Sequence, residues 1–142
     1  MNIHSARHYL RRLARRNEVR PRLAIKGECT PEALRAALEG SERPAIICDC
    51  EGAEDLLLDP TLVPALRRAL ILVETHEGMV VGVERRLVDR FAPTHDIEVI
   101  RSRPRTRDDL PDGPDLTDAE ADVAMDEHRR RAEWMFMRLK SA

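Results

Sequence analysis

Short, almost wholly apolar runs alternate along this chain with segments whose apolar residues recur every three or four positions. In residues 3 to 16, Ile3, Ala6, Leu10, Leu13 and Ala14 carry that helical spacing with arginines between them, and Asn17 ends it. Pro21 opens a brief apolar stretch at residues 23 to 25, closed by Gly27. Thr30-Pro31-Glu32 combines a capping hydroxyl, a first-turn proline and an acid, predicting a helix over residues 33 to 38 that Gly40 stops. Residues 44 to 49 and 69 to 74 are nearly continuous apolar runs, each ending in a carboxylate, and suit strands covered on both faces. Between them, residues 53 to 58 and 62 to 66 predict helical pieces interrupted by Pro60 and Pro64, so the unit is a right-handed βαβ crossover.

Beyond it, residues 83 to 91 predict an amphipathic helix and residues 97 to 100 a third strand. Thr117 and Glu120 have the spacing of a capping box and predict a helix running to about Arg131, followed by a terminal strand over residues 134 to 137. Alternating strands and helices define an α/β class.

At 142 residues and 42% hydrophobic, the chain suits one domain over residues 1–142, with residues 101–116, rich in Pro, Arg and Asp, as an exposed loop. No apolar run reaches the ~20 residues that span a bilayer, so no membrane insertion is expected. Arg7, Arg11, Arg12, Arg15 and Arg16 have no apolar core after them, unlike a secretory signal, and a cytoplasmic address is expected. Cys29, Cys48 and Cys50 are too few for a disulfide scaffold, and Cys-x-Cys lacks the usual zinc-loop spacing, so reduced thiols are expected. The net charge of -2 conceals a basic start, with eight Lys or Arg against Glu18 alone over residues 1 to 26. Those arginines fit the solvated face of a helix, and 3% aromatics leave few rings for base stacking, so no nucleic-acid partner is expected.

Ligands of open α/β sheets settle beyond the carboxyl ends of the strands. There the two apolar runs place Asp49 and Glu51 beside Glu74, His76 and Glu77. Crowded carboxylates in a half-buried crevice gain proton affinity, the condition for a general base. Asp49, Glu74 and His76 also offer ligands for a divalent cation, against the plainer alternative of a hydrogen-bonded rim. For Asp49 and Glu51 the plainer alternative is capping of the next helix. His4, His8, His95 and His128 are expected on surfaces or turns, and Trp134, Phe136 and the neighbouring methionines in the core.

The string Ile46-Ile47-Cys48-Asp49-Cys50-Glu51-Gly52-Ala53-Glu54, followed by a leucine-rich segment and Leu72-Val73-Glu74-Thr75-His76, resembles the signature and following strand of FkbM-type class I S-adenosylmethionine-dependent methyltransferases. Residues 15 to 19 before residues 23 to 25 are similar to the helix and turn that precede the third strand of that fold. The resemblance implies a Rossmann-like sheet, mostly parallel, with an antiparallel C-terminal strand pair, within the family order 3-2-1-4-5-7-6. The family binds its cofactor through a glycine-rich turn after the first strand, and no Gly-x-Gly occurs here before Gly27, so a truncated or split methyltransferase is expected. By the same resemblance, Gly27, Glu28 and Cys29 would border the adenine of S-adenosylmethionine. Asp49 would lie nearest the transferred methyl group, Glu51 and His76 would face a small-molecule or sugar hydroxyl, and Asp49 or His76 would take its proton. An open sheet edge would favour a homo-oligomer or a partner chain. Two other classes remain open: a noncatalytic module pairing through that edge, and a metal-dependent hydrolase using Asp49, Glu74 and His76.

Overall fold

The computed structural model describes residues 3–113, 115–126 and 133–141. The chain divides into two units, Met1–Thr30 and Pro31–Ala142. In the first, helix α1 (Ile3–Arg16) occupies the predicted arginine-studded segment, and the Asn17 amide and side chain both donate to the Leu13 carbonyl at its end. A 3-10 turn follows at Arg20–Arg22. Residues 23 to 25 form no strand, which corrects the expectation drawn from the family resemblance. Leu23 has extended backbone, but a strand also needs a ladder partner.

In the second unit, α2 (Pro31–Leu38) starts at the predicted proline, and its end passes into Gly40, whose φ of +75° is the left-handed conformation glycine tolerates best. Strand β1 (Ala45–Cys48), the short helix α3 (Glu54–Leu57), a 3-10 turn at Pro64–Arg68 and strand β2 (Leu70–Thr75) make the expected βαβ crossover. Helix α4 (Val83–Phe91) and strand β3 (His95–Arg101) follow. The residues 102 to 113 hold a 3-10 turn at Arg107–Asp109 within an otherwise exposed loop. Helix α5 (Asp118–Met125) opens with the predicted capping box between Thr117 and Glu120. It stops short of Arg131 because Asp126 turns to extended backbone; residues 127–132, including His128, lie outside the described residues. Strand β4 (Glu133–Leu139) completes the sheet.

The sheet order is β1-β2-β4-β3. The expectation of mostly parallel pairing is overturned: β1 and β2 are parallel, whereas β4 is antiparallel to both β2 and β3. The reason is topological, since the last strand inserts between β2 and β3 and reverses against each neighbour. The expected antiparallel C-terminal pair is the β3–β4 ladder.

Period-two alternation sends Ile71 and Val73 of β2 and Met135 and Met137 of β4 to one face, where they are fully buried with Val83, Leu87 and Phe91 of α4 and with Leu58, Val63 and Leu66 of the crossover. Trp134 and Phe136 take the opposite face and are only half-buried, so the methionines rather than the aromatic residues of β4 enter the core. His95 is also buried, against expectation. Its Nε2–H donates to the Ala69 carbonyl at 2.8 Å, the Thr94 hydroxyl donates to Nδ1, and the ring stands edge-on to Phe91. An imidazole with both nitrogens satisfied can replace an apolar side chain in a core. Among the described residues no helix is long and apolar enough to cross a membrane.

Candidate functional site

The register of the parallel pair sets Cys48 beside Val73, so the next step along both strands sets Asp49 beside Glu74 at the carboxyl end of the sheet. His76 follows two residues later. After Asp49 the chain makes a sharp turn: Glu51 has a φ of +51° and Gly52 a φ of +101°. A side chain at position 52 would be strained by that backbone and would stand 3.3 Å from the Met79 Cβ. The turn brings Glu54, at the start of α3, back under His76.

Glu54 is completely buried, and its Oε1 accepts hydrogen bonds from the Gly52 amide at 3.1 Å and from His76 Nδ1 at 2.6 Å. Burial pushes its carboxyl up, but hydrogen bonds from the Glu54 and Gly52 amides and from His76 outweigh burial and hold it below the usual carboxylate range. Since a carboxylate only accepts, Nδ1 carries a hydrogen, and in the neutral ring Nε2 then presents its lone pair to the rim. Facing Nε2 are Glu51 Oε2 at 3.4 Å and Asp49 Oδ1 at 3.8 Å. The Asp49 and Glu51 side chains are 46% and 63% exposed, against 13% for His76, so the site is a ledge open on its acidic side. Glu74 is 3% exposed, and Asp49, Glu74 and His76 each place a ligand atom within 4.8 Å of the others.

The predicted Asp49, Glu51 and His76 are therefore brought together. Neither Asp49 nor Glu51 is the cap of α3: the N-cap is Ala53, whose side chain makes no capping hydrogen bond, and the two acids face His76 instead. Glu77, expected on the same rim, is turned aside: its two oxygens accept from the Gly82 and Glu84 amides and cap α4. Gly27, Glu28 and Cys29 belong to the first unit, where the Cys29 thiol is exposed and free. The Cys48 and Cys50 thiols have their Sγ atoms 3.4 Å apart, and burial pushes the Cys50 thiol up. The residue the sequence reasoning passed over is Glu54. Its signal was the glycine two positions before it, which permits the turn that points an acid back toward the strand ends.

Helix α3 is a single turn, and α4 holds it. Asp55 receives Arg86 at 3.1 Å and Arg90 at 3.0 Å, while Arg90 also donates to the Asp55 carbonyl at 2.6 Å. Next to the ledge, Thr75, Glu77, Glu84, Arg101 and Glu133 line a cavity of about 260 Å³. There a hydrogen bond between the Glu84 and Glu133 carboxyls, reinforced by burial, raises the proton affinity of Glu84. Comparison with known protein families, curated proteins and solved structures returns no match to this chain.

Proposed function

We propose that this chain carries the acceptor side of an S-adenosylmethionine-dependent methyltransferase of the FkbM kind, acting on a hydroxyl of a small molecule or sugar. The observation that supports it best is the sheet. Its order β1-β2-β4-β3, with β4 reversed against both neighbours, has the order and direction of the last four strands, 4-5-7-6, in that family's sheet. The Asp-Cys-Glu-Gly-Ala-Glu string follows the strand in the first of those positions.

In such a transfer the acceptor oxygen attacks the methyl carbon, the carbon–sulfur bond breaks, the sulfonium becomes a neutral thioether, and the hydroxyl proton leaves to a base. Asp49 is the base in this reading: it is an exposed carboxylate at the strand end, within reach of a ligand resting on the ledge. Glu51 orients the acceptor, and His76, clamped from behind by Glu54, fixes the floor between them. Strand β1 is an edge of the sheet, with Ile47 79% exposed, and a partner chain or second copy supplies the strand that covers it.

The test supplies methyl-labelled S-adenosylmethionine and a panel of sugars and small hydroxyl compounds to the full chain in the assembly in which it is isolated. Label enters one acceptor class, and Asp49→Asn lowers kcat by about 10²–10⁴-fold, the range for loss of a general base, while leaving cofactor affinity unchanged. No label transfer, together with no heat on calorimetric titration with ~1 mM cofactor, overturns the proposal.

A further inference from the structure

We propose that His76 Nε2, Asp49 and Glu74 form a binding site for one divalent transition-metal ion of the manganese, cobalt or zinc class. The site stands on its own donor set and does not rest on methyl transfer. With one ring hydrogen committed to Glu54 through Nδ1, the neutral ring of His76 turns a lone pair toward the ledge. Nε2 is shut off from solvent and has no hydrogen-bond partner, and the groups facing it are the Glu51 and Asp49 carboxylates, which also carry only lone pairs. Acceptors converging on acceptors repel, and a cation between them turns each of those contacts into an attraction.

The spacing fits. Ligands about 2.1 Å from a common ion stand roughly 3–4 Å from one another. Nε2 and Asp49 Oδ1 are 3.8 Å apart, and the three residues each place a ligand atom within 4.8 Å of the others, close to that range. Imidazole with two carboxylates suits transition ions, whereas magnesium and calcium take all-oxygen sets. Glu54 behind the ring is the outer carboxylate that fixes tautomer and orientation at histidine-ligated metals. Asp49 can ligate through one oxygen and keep the other for a substrate.

The experiment strips the full chain with a chelator, dialyses it, and titrates it separately with manganese(II), cobalt(II) and zinc(II), by calorimetry and, for cobalt, by visible absorption. One ion binds per chain. His76→Ala and Asp49→Ala each weaken binding by about tenfold or more, and Glu54→Gln, a positioning change, weakens it by roughly 10–100-fold and shifts the cobalt bands. Asp96→Asn, on the exposed side of β3, binds as the wild type does. If His76→Ala fails to fold, Asp49→Ala at its exposed position carries the test. Folded wild type that takes up no stoichiometric ion at ~1 mM, or Asp49→Ala that binds undiminished, overturns the site. Ion binding without methyl transfer sustains the site and counts against the methyltransferase reading alone.

Discussion

Glu54 shows how one buried charge organises its surroundings. It lies beneath two exposed acids, and its carboxylate state is secured by an amide at 3.1 Å and an imidazole nitrogen at 2.6 Å. Removing it leaves the Gly52 amide and His76 Nδ1 as half-buried donors without an acceptor, each costing part of its desolvation. Glu54→Ala is therefore expected to lower unfolding stability by about 3 kcal/mol, read from urea denaturation. It also releases the His76 ring, so the exchange broadening of its carbon-bound protons in NMR changes together with the stability. A loss below about 0.5 kcal/mol with an unmoved His76 would refute the clamp.

Among the elements, the loop after β3 holds a local electrostatic device. Asp109 pairs with Arg103 and also accepts from the Thr106 amide at 2.8 Å, forming a capping box on the 3-10 turn Arg107–Asp109. The Arg103 guanidinium first, and the Thr106 amide second, pull the Asp109 carboxyl down to about 2 from an ordinary 3.8. A carboxyl lowered in the folded state stabilises above its unfolded value, and that contribution is lost as pH falls through its folded value. The turn is thus intact above about pH 4 and opens as the pH falls toward 2. Titration of the Asp109 carboxyl carbon by NMR has its midpoint near 2, and Arg103→Ala moves that midpoint up toward the ordinary value. Because the group is solvated, salt weakens the effect.

In the second unit as a whole, β2 and β4 lie between other strands while β1 and β3 are edges. Amide hydrogens of β2 and β4 are expected to exchange slowest, and those on the outer side of β1 fastest, in native-state exchange measurements. Met137 is fully buried on the central antiparallel ladders, and Met137→Ala is expected to cost about 3 kcal/mol by thermal or urea unfolding.

Periodicity alone placed α1, α4, the βαβ crossover and the capping box of α5 within a residue or two, because those signals are local: spacing, a capping hydroxyl, a proline in a first turn. It also put Asp49 and His76 on one ledge, since in a parallel pair the residues after two aligned apolar runs must end at the same rim. Three features belonged to the tertiary structure. Insertion of β4 between β2 and β3 depends on which strand edges are free, a question of pairing between distant segments that no spacing encodes. The burial of His95 depends on the Ala69 carbonyl, 26 residues away in the chain, coming within 2.8 Å of its ring. The roles of Glu54 and Glu77 were decided by turn geometry: a left-handed turn at Glu51 and Gly52 aimed one acid inward at an imidazole, and the start of α4 drew the other away to cap its amides. Residue type and order determined which groups reach the ledge, and long-range packing determined which of them are left facing an unsatisfied lone pair.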